Sequence, residues 1–266
     1  MKEQHQTMIG RVVEEIRGDH RFLGVLVGGS YLTDSMDEFS DLDFILVSED
    51  SYYEEIMNAR MEIVQRFGTI LSGFTGEHVG EPRLIICLYD NPVLHVDFKF
   101  ITVDALAERI EDPAVLYAKD RRIQKVLGES KAKFPVHGLQ WIEDRFWVWI
   151  HYGATKIGRG ELFETMDLLA FLRREVLAPM LAMRRGKLPR GVRKIEKETP
   201  EDGVALEKTT ALHDRESCIA ALYAAAALYR DCRMPDGKGV FYRKEAEKKA
   251  VTYLEQVSAC AVSADS

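Results

Sequence analysis

The chain has 266 residues, of which 46% are hydrophobic and 30% are charged, and its formal net charge is -7. This length and apolar content suffice for one large core or two modest ones, and two domains are the better expectation. No apolar run reaches about 18 residues, so no membrane-spanning helix is expected. The segment from Met1 to His20 is too charged to be a secretory signal, and we expect a cytoplasmic protein.

The first elements along the chain follow from the spacing of apolar residues. This spacing predicts an amphipathic helix over residues 3–17 and a short strand over residues 22–27 that ends at a glycine pair. A helical turn and a second strand over residues 41–47 come next. Residues 51–67 have helical spacing and precede Gly68. These elements predict strands with helices flanking them.

The next segment is predicted to be a loop followed by a hairpin. Residues 70–82 contain four glycines or prolines, which indicates a loop. Residues 83–89 and 93–101 are predicted to form a hairpin of two strands around Asp90-Asn91-Pro92. In residues 93–100, apolar and polar side chains alternate. The alternation is typical of an antiparallel or mixed sheet with one polar face.

From about Thr102 the pattern predicts helices only. Residues 138–157, 161–185, 213–231 and 241–257 carry apolar side chains at three- and four-residue spacing, which indicates a bundle of four or more helices. A basic segment over residues 184–197 is expected to be a loop. We place the domain boundary so that residues 1–115 form one domain and residues 116–266 form the second.

Cysteine spacing indicates neither a zinc site nor a disulfide framework. Cys87, Cys218, Cys232 and Cys260 are scattered, without a Cys-x-x-Cys pair or a nearby pair of histidines. We expect them to be small buried hydrophobic residues in a reducing compartment.

The most informative pattern is Gly29-Ser30 followed, after ten residues, by Asp41-Leu42-Asp43. Side chains alternate along a strand, so Asp41 and Asp43 are predicted to share one face while Leu42 points into the core. Magnesium prefers one or two carboxylates with phosphate oxygens and waters, and glycines allow close approach of the backbone to phosphates. The pattern therefore predicts a site for a nucleoside triphosphate with a divalent cation.

A third carboxylate lies in the later strand over residues 93–100. His95, Asp97 and Lys99 are predicted to share its polar face, with the apolar side chains on the opposite face. Asp97 would supply the extra carboxylate that a second metal ion needs.

With Gly28-Gly29-Ser30, Asp41-x-Asp43 and Asp97, the sequence resembles the polymerase-beta-type nucleotidyltransferases, particularly the small bacterial enzymes that modify aminoglycosides and lincosamides. The resemblance covers roughly the first 110 residues. It implies transfer of a nucleoside monophosphate, usually AMP from ATP, to a hydroxyl with release of pyrophosphate. It also implies two Mg²⁺ ions.

The resemblance implies a role for each matched residue. Gly29 and Ser30 would bind the β- and γ-phosphates. Asp41 and Asp43 would hold both metal ions, and Asp97 would hold the catalytic one. The expected fold class is α+β, with an N-terminal mixed β-sheet domain flanked by helices and a C-terminal α-helical bundle.

The helical half supplies further candidates. Residues 1–116 hold 9 basic and 22 acidic side chains, whereas residues 117–200 hold 18 basic and 10 acidic ones, so an acidic half is expected beside a basic half. Lys156 and Arg159 are candidates for binding the triphosphate. The resemblance implies a general base in the helical domain, and Glu161, Glu164 and Asp167 are the candidates. Asp167, amid apolar neighbours, is favoured over Glu164 because burial would raise its pKa.

Several alternatives stay open at this level. A pI of about 5.6 argues against a nucleic-acid acceptor. A transferase acting on a partner protein or an RNA, or a nucleotide-binding sensor without turnover, remains a possible reading. The sequence does not decide the identity of the acceptor, the nucleotide or the general base. It also leaves open the oligomeric state, for which a homodimer is one alternative.

Overall fold

The computed structural model describes residues 2–233 and 239–260. Two compact units divide between Phe134 and Pro135. The first unit contains a sheet with flanking helices, and the second is helical. This confirms the α+β class expected from the sequence. The expected domain boundary at residue 115 falls inside the last strand of the sheet, Ala114–Ala118.

The first unit has six strands and four α-helices in its described part. The strands are β1 Phe22–Val27, β2 Leu42–Ser48, β3 Ile70–Gly76, β4 Glu81–Tyr89, β5 Leu94–Thr102 and β6 Ala114–Ala118. The helices are α1 Glu3–Gly18, α2 Tyr53–Asn58, α3 Arg60–Gln65 and α4 Arg122–Glu129. Short 3-10 turns lie at Gly29–Thr33, Asp50–Tyr52, Glu77–Val79 and Asp104–Ala107.

The sheet is mixed, with strand order β3-β4-β5-β2-β1-β6. Only β2 and β5 pair in parallel, and every other pairing is antiparallel. The predicted hairpin is confirmed, because β4 pairs with β5 around the turn at Asp90. As a result β2 and β5 occupy the middle of the sheet, where their apolar faces are buried.

Two predictions about this unit are wrong. Residues 70–76 form the edge strand β3 and not a loop, because their glycines allow close packing: a Cβ at Gly73 would lie 2.9 Å from the methyl group of Met61. Strands also continue beyond Thr102, since β6 pairs with β1 at the opposite edge. Both are exposed edge strands, which give a weak periodic signal because few of their side chains are buried.

The helix predicted over residues 51–67 is divided at Ala59 into α2 and α3. Arg60 donates a hydrogen bond from Nε to the Met57 carbonyl oxygen at 2.7 Å, which satisfies a carbonyl at the break. The apolar residues Ile56, Ile63 and Val64 are nevertheless buried as helical spacing predicted.

The second unit is a helical bundle, as predicted. Its helices are α5 Leu139–Gly158, α6 Leu162–Leu172, α7 Ala178–Arg184, α8 Ile195–Glu198, α9 Pro200–Glu207, α10 Arg215–Cys232 and α11 Lys244–Ala259. A π-helical turn, Arg173–Leu177, joins α6 to α7. It precedes Pro179, which has no N–H and whose ring crowds the preceding turn, so a local widening of the helix there is expected physically.

A buried carboxylate ties three parts of the bundle together. Glu143 on α5 is 1% exposed and accepts hydrogen bonds from Trp147 Nε1 at 3.2 Å, Tyr229 Oη at 2.6 Å and the Arg243 backbone N–H at 2.8 Å. Arg233 adds an ion pair at 3.0 Å. Because each of its oxygens is hydrogen-bonded, the carboxylate tolerates burial and fixes the packing of α5 against α10.

None of the described helices is long and apolar enough to cross a membrane. Cys87, Cys218 and Cys232 are buried free thiols, as expected, and burial raises the pKa of Cys87 to about 12. Cys260 differs from the expectation, because it is exposed at the end of α11.

Candidate functional site

The polar site of the first unit begins at the end of β1, in a turn formed by Gly28, Gly29 and Ser30, which we call the glycine turn. Gly29 has a φ of 64°, a left-handed conformation that favours glycine. A Cβ at this position would lie 2.0 Å from Asp43 Oδ2. The sequence therefore needs glycine here both for the backbone conformation and because the Asp43 carboxylate lies directly against the backbone.

Ser30 is buried, and its Oγ has no hydrogen-bond partner among the described residues. Buried hydroxyl groups are normally hydrogen-bonded, so an orphaned one indicates a partner that comes from outside the chain. Since Ser30 follows Gly29 in the same 3-10 turn, a phosphate oxygen bound by the glycine turn would supply that partner.

The two sheet aspartates lie side by side. Asp43 on β2 and Asp97 on β5 are register partners in the parallel pair of strands. Their apolar neighbours are buried, including Leu42, Phe44 and Phe98, so the aspartates project from the other face of the sheet, as predicted. Asp41 stands just before β2 at half-buried exposure.

The electrostatics of Asp97 show that these carboxylates influence one another. Burial raises the pKa of Asp97, and the charge of Asp41 raises it further, while His95 lowers it. His95 Nε2 lies 2.9 Å from Asp97 Oδ1. A bound cation would remove the repulsion between the carboxylates and favour their ionised form.

The described residues include no group of three or more His, Cys, Asp or Glu side chains arranged as a complete metal site. Magnesium, however, is commonly bound by one or two carboxylates while phosphate oxygens and waters complete its shell. The carboxylates of Asp43 and Asp97, beside an orphaned serine hydroxyl, fit a site of that incomplete kind.

The segment before Asp41 is held by contacts that the sequence did not indicate. His5, buried on α1, donates from Nε2 to the Ser40 carbonyl oxygen at 2.9 Å. Asp37 Oδ1 accepts hydrogen bonds from the Phe39 N–H and from Ser40 Oγ, both at 3.0 Å. These hydrogen bonds fix the backbone of residues 37–40, directly before Asp41. The apolar face of α1 predicted its core contacts but gave no signal for the role of His5.

Glu111 is a second residue that the sequence analysis did not identify. Its Oε1 accepts a hydrogen bond from the Gly29 backbone N–H at 2.7 Å. The residue lies in a charged stretch just before β6, and such a stretch ordinarily indicates a solvated surface. Only the antiparallel pairing of β6 with β1 brings it to the glycine turn.

In the second unit, Lys156 and Arg159 lie at the C-terminal end of α5. Lys156 Nζ forms ion pairs with Glu161 at 2.5 Å and Glu164 at 2.6 Å, which raise its pKa. Arg159 is more exposed and lies 3.8 Å from Glu161. Both cations are thus paired with acidic side chains of their own unit.

Of the three candidate bases, Glu161 pairs with Lys156, and the other two differ in their surroundings. Glu164 accepts from Tyr152 Oη at 2.5 Å and pairs with Lys156, and the hydrogen bonds from Lys156 and Tyr152 lower its pKa to about 2. Asp167 is exposed, so the burial expected from its apolar neighbours in sequence is not found. Leu168 and Leu169 turn to the core, while Asp167 lies on the solvent face of α6.

No protein-family model and no curated protein matches the sequence. Several solved structures are similar to the chain, including the following three. An aminoglycoside 6-adenyltransferase from Bacillus subtilis is 16% identical, with a TM-score of 0.43, over 98% of this chain and 100% of that one. A nucleotidyltransferase-like protein from Exiguobacterium sibiricum is 10% identical, with a TM-score of 0.36, over 93% of this chain and 78% of that one.

The third is a spectinomycin adenyltransferase from Enterococcus faecialis, solved with ATP and spectinomycin. It is 12% identical, with a TM-score of 0.30, over 96% of this chain and 98% of that one. At these identities and TM-scores the likeness alone establishes no activity for this chain.

The fold and the site themselves define an α+β protein with a glycine turn beside paired sheet aspartates. Gly29, Ser30, Asp43 and Asp97 are brought to one face of one sheet, with Asp41 adjoining them. That combination suits an anionic phosphate ligand that carries its own cation.

Proposed function

We propose that the protein is a polymerase-beta-type nucleotidyltransferase that moves a nucleoside monophosphate from a magnesium-bound triphosphate to the hydroxyl of a small acceptor. ATP is the proposed donor, and an aminoglycoside or lincosamide antibiotic is the proposed class of acceptor. Pyrophosphate is the second product. The proposal includes action in the cytoplasm, as expected for a chain that uses intracellular ATP.

The observation that carries the proposal is the position of Asp43. Its carboxylate lies against Gly29, where any Cβ would clash with it, and its register partner is Asp97. A turn whose buried Ser30 hydroxyl has no partner among the described residues is thus joined to carboxylates that suit a cation. Neither feature alone would favour triphosphate chemistry, but their contact does.

The chain's own groups have distinct tasks in the transfer. The Gly29 N–H and the Ser30 hydroxyl would donate hydrogen bonds to non-bridging phosphate oxygens and keep holding them on the pyrophosphate that leaves. The acceptor oxygen would attack the α-phosphorus in line while the bond from that phosphorus to the bridging oxygen breaks. Holding the leaving group in place orients the α-phosphorus for this attack.

Asp41, Asp43 and Asp97 would hold the two magnesium ions. When bound, magnesium neutralises phosphate charge and lowers the pKa of the acceptor hydroxyl. His95, within hydrogen-bonding distance of Asp97, would orient its carboxylate.

For the acceptor proton we propose Asp167 as the base. Glu164 is held by Lys156 and Tyr152, and a pKa of about 2 makes it a weak proton acceptor near neutral pH. Asp167 is exposed and forms no hydrogen bond or ion pair with any described residue. Lys156 and Arg159 remain proposed contacts of the triphosphate, which would have to compete with Glu161 for them.

The test is incubation with ATP labelled in its α-phosphate and adenine, with magnesium, against aminoglycosides, lincosamides and candidate proteins. We expect label on a small hydroxyl-bearing molecule, with one pyrophosphate released for each labelled product. Asp43→Asn is the inactive control, and Asp104→Asn, an exposed carboxylate on a 3-10 turn, is the matched active one. Full turnover by the folded Asp43→Asn variant would refute the proposed site.

A further inference from the structure

The Glu111 carboxylate accepts a hydrogen bond from the Gly29 backbone N–H, the same donor that the glycine turn would offer to a phosphate. Its Oε1 lies 2.7 Å from the Gly29 backbone nitrogen. The same oxygen would lie 3.0 Å from a Cβ at Gly28, so the carboxylate is in close contact with the turn. A carboxylate oxygen is an anionic acceptor, as a phosphate oxygen is, and both bind strongly to backbone N–H groups.

The backbone around Glu111 is fixed on both sides. Arg109 donates hydrogen bonds to the Leu106 and Leu127 carbonyl oxygens at 3.2 Å and 3.1 Å and to the Ser130 hydroxyl at 2.6 Å. On the other side, Ala114 begins β6 and is the register partner of Val27, the residue before the glycine turn. The position of Glu111 thus follows from the sheet pairing and not from a loose loop.

Two anions cannot share this donor. One backbone N–H makes one strong hydrogen bond, and a carboxylate beside a triphosphate adds repulsion in a partly buried place. A phosphate oxygen that binds Gly29 must therefore displace Glu111. The Glu111 side chain, and not its backbone, would move in this displacement, because Arg109 and β6 hold the backbone.

We propose that Glu111 is an internal competitor for the phosphate site, closing the glycine turn until a triphosphate displaces its carboxylate. This inference rests on the proposed function and gives Glu111 a regulatory role at the same site. In the empty protein the carboxylate satisfies the Gly29 N–H and holds the turn in its left-handed conformation. It also weakens binding of every anion that lacks enough charge and contacts to replace it.

The experiment compares the full-length protein with Glu111→Ala and Glu111→Gln in calorimetric titrations with magnesium tripolyphosphate. Removing the competitor is expected to tighten binding about tenfold in Glu111→Ala, the ratio that corresponds to one charge-assisted hydrogen bond. Glu111→Gln keeps the side-chain size and should tighten binding less, because a neutral amide oxygen still competes. Glu108→Ala is the matched control, since Glu108 is an exposed carboxylate close to Glu111 in the chain and its loss should leave the affinity unchanged.

A second measurement follows the Gly29 amide directly by nuclear magnetic resonance. Its proton should move upfield in Glu111→Ala, where the hydrogen bond to the carboxylate is lost, and return downfield on addition of tripolyphosphate. The proposal is overturned if both variants bind tripolyphosphate no more tightly than the unmodified protein. It is also overturned if none of the proteins binds tripolyphosphate.

Failure of the proposed function would be seen in the transfer assay with labelled ATP. There the unmodified protein would give no labelled product and release no pyrophosphate. An active enzyme whose Glu111 variants bind tripolyphosphate no more tightly would refute the competitor alone.

Discussion

Asp43 and Asp97 lie opposite each other on the two parallel strands at the middle of the sheet, and the Asp43 carboxylate also lies against Gly29. Burial and the charge of Asp41 raise the pKa of Asp97, while His95 lowers it. Such an arrangement costs stability in the empty protein and is useful once a cation binds.

Asp97→Asn should therefore separate activity from stability. We expect transfer activity to fall at least about 100-fold, because a charged ligand of the metal is lost. The free energy of unfolding should stay the same or rise without magnesium, since repulsion is relieved. Activity assays and urea unfolding with and without magnesium check this, and equal stabilisation of both proteins by magnesium would contradict it.

Gly29→Ala should destabilise the first unit and weaken nucleotide binding. The new Cβ would have to displace the Asp43 carboxylate in addition to adopting a left-handed conformation. Gly80→Ala is the matched control, because Gly80 has a similar φ of 74° but open space around it. We expect about 1 kcal/mol lost in the control and clearly more at Gly29, measured by urea unfolding. Equal losses would show that the close contact with Asp43 is unimportant.

Ser30→Ala should weaken nucleotide binding without destabilising the protein. Its hydroxyl is buried and has no partner in the described part of the chain, so the empty protein loses no hydrogen bond with it. One hydrogen bond to a charged phosphate corresponds to about tenfold in affinity. Titration with ATP and thermal unfolding measure the two effects. Ser35→Ala, which removes an exposed hydroxyl bonded to Thr33, should change neither.

Glu143→Ala should strongly destabilise the helical unit. The substitution leaves Trp147, Tyr229 and Arg233 without the carboxylate they share, and breaking a buried ion pair typically costs about 3 kcal/mol or more. Asp144→Ala removes the next carboxylate, an exposed partner of Arg243, and should cost less than about 1 kcal/mol. Denaturant unfolding of the two variants gives the comparison, and similar losses would contradict a structural role for Glu143.

The stability of the first unit should depend on Asp19 in acid. Hydrogen bonds from Arg21, with help from Arg66, lower the pKa of Asp19 from 3.8 to about 2. A lowered pKa means that the stabilisation is complete above pH 3.8 and is lost as the pH falls towards about 2. The full difference corresponds to about 2 kcal/mol.

Asp19→Asn tests this dependence. The variant should be less stable than the unmodified protein at about pH 6, and the gap should narrow by about pH 3. Urea unfolding at each pH measures the gap. A gap that is constant over this range would show that the Asp19 carboxylate does not stabilise the fold through Arg21.

The strands that carry the site were predictable because their side chains alternate strongly. Leu42, Phe44 and Phe98 are buried, and this burial leaves Asp43 and Asp97 with one possible face. Edge strands β3 and β6 were not predictable in this way, because few of their side chains are buried and because β3 also contains two glycines. The expected burial of Asp167 was wrong for a related reason: its apolar neighbours on the helix turn to the core while Asp167 faces solvent.

The sequence by itself determined the alternation of β2 and β5, the glycine turn and the helical bundle, because these depend on local spacing and backbone freedom. Only the tertiary structure decided that Asp43 meets Asp97 in register, that Glu111 reaches the Gly29 N–H and that Glu161 and Glu164 pair with Lys156. Strand order and register set these contacts in the sheet, and the turn between α5 and α6 sets them in the bundle. Strand order, register and the position of this turn depend on which apolar faces pack together. Local periodicity shows that a face is apolar but does not show which other face it packs against.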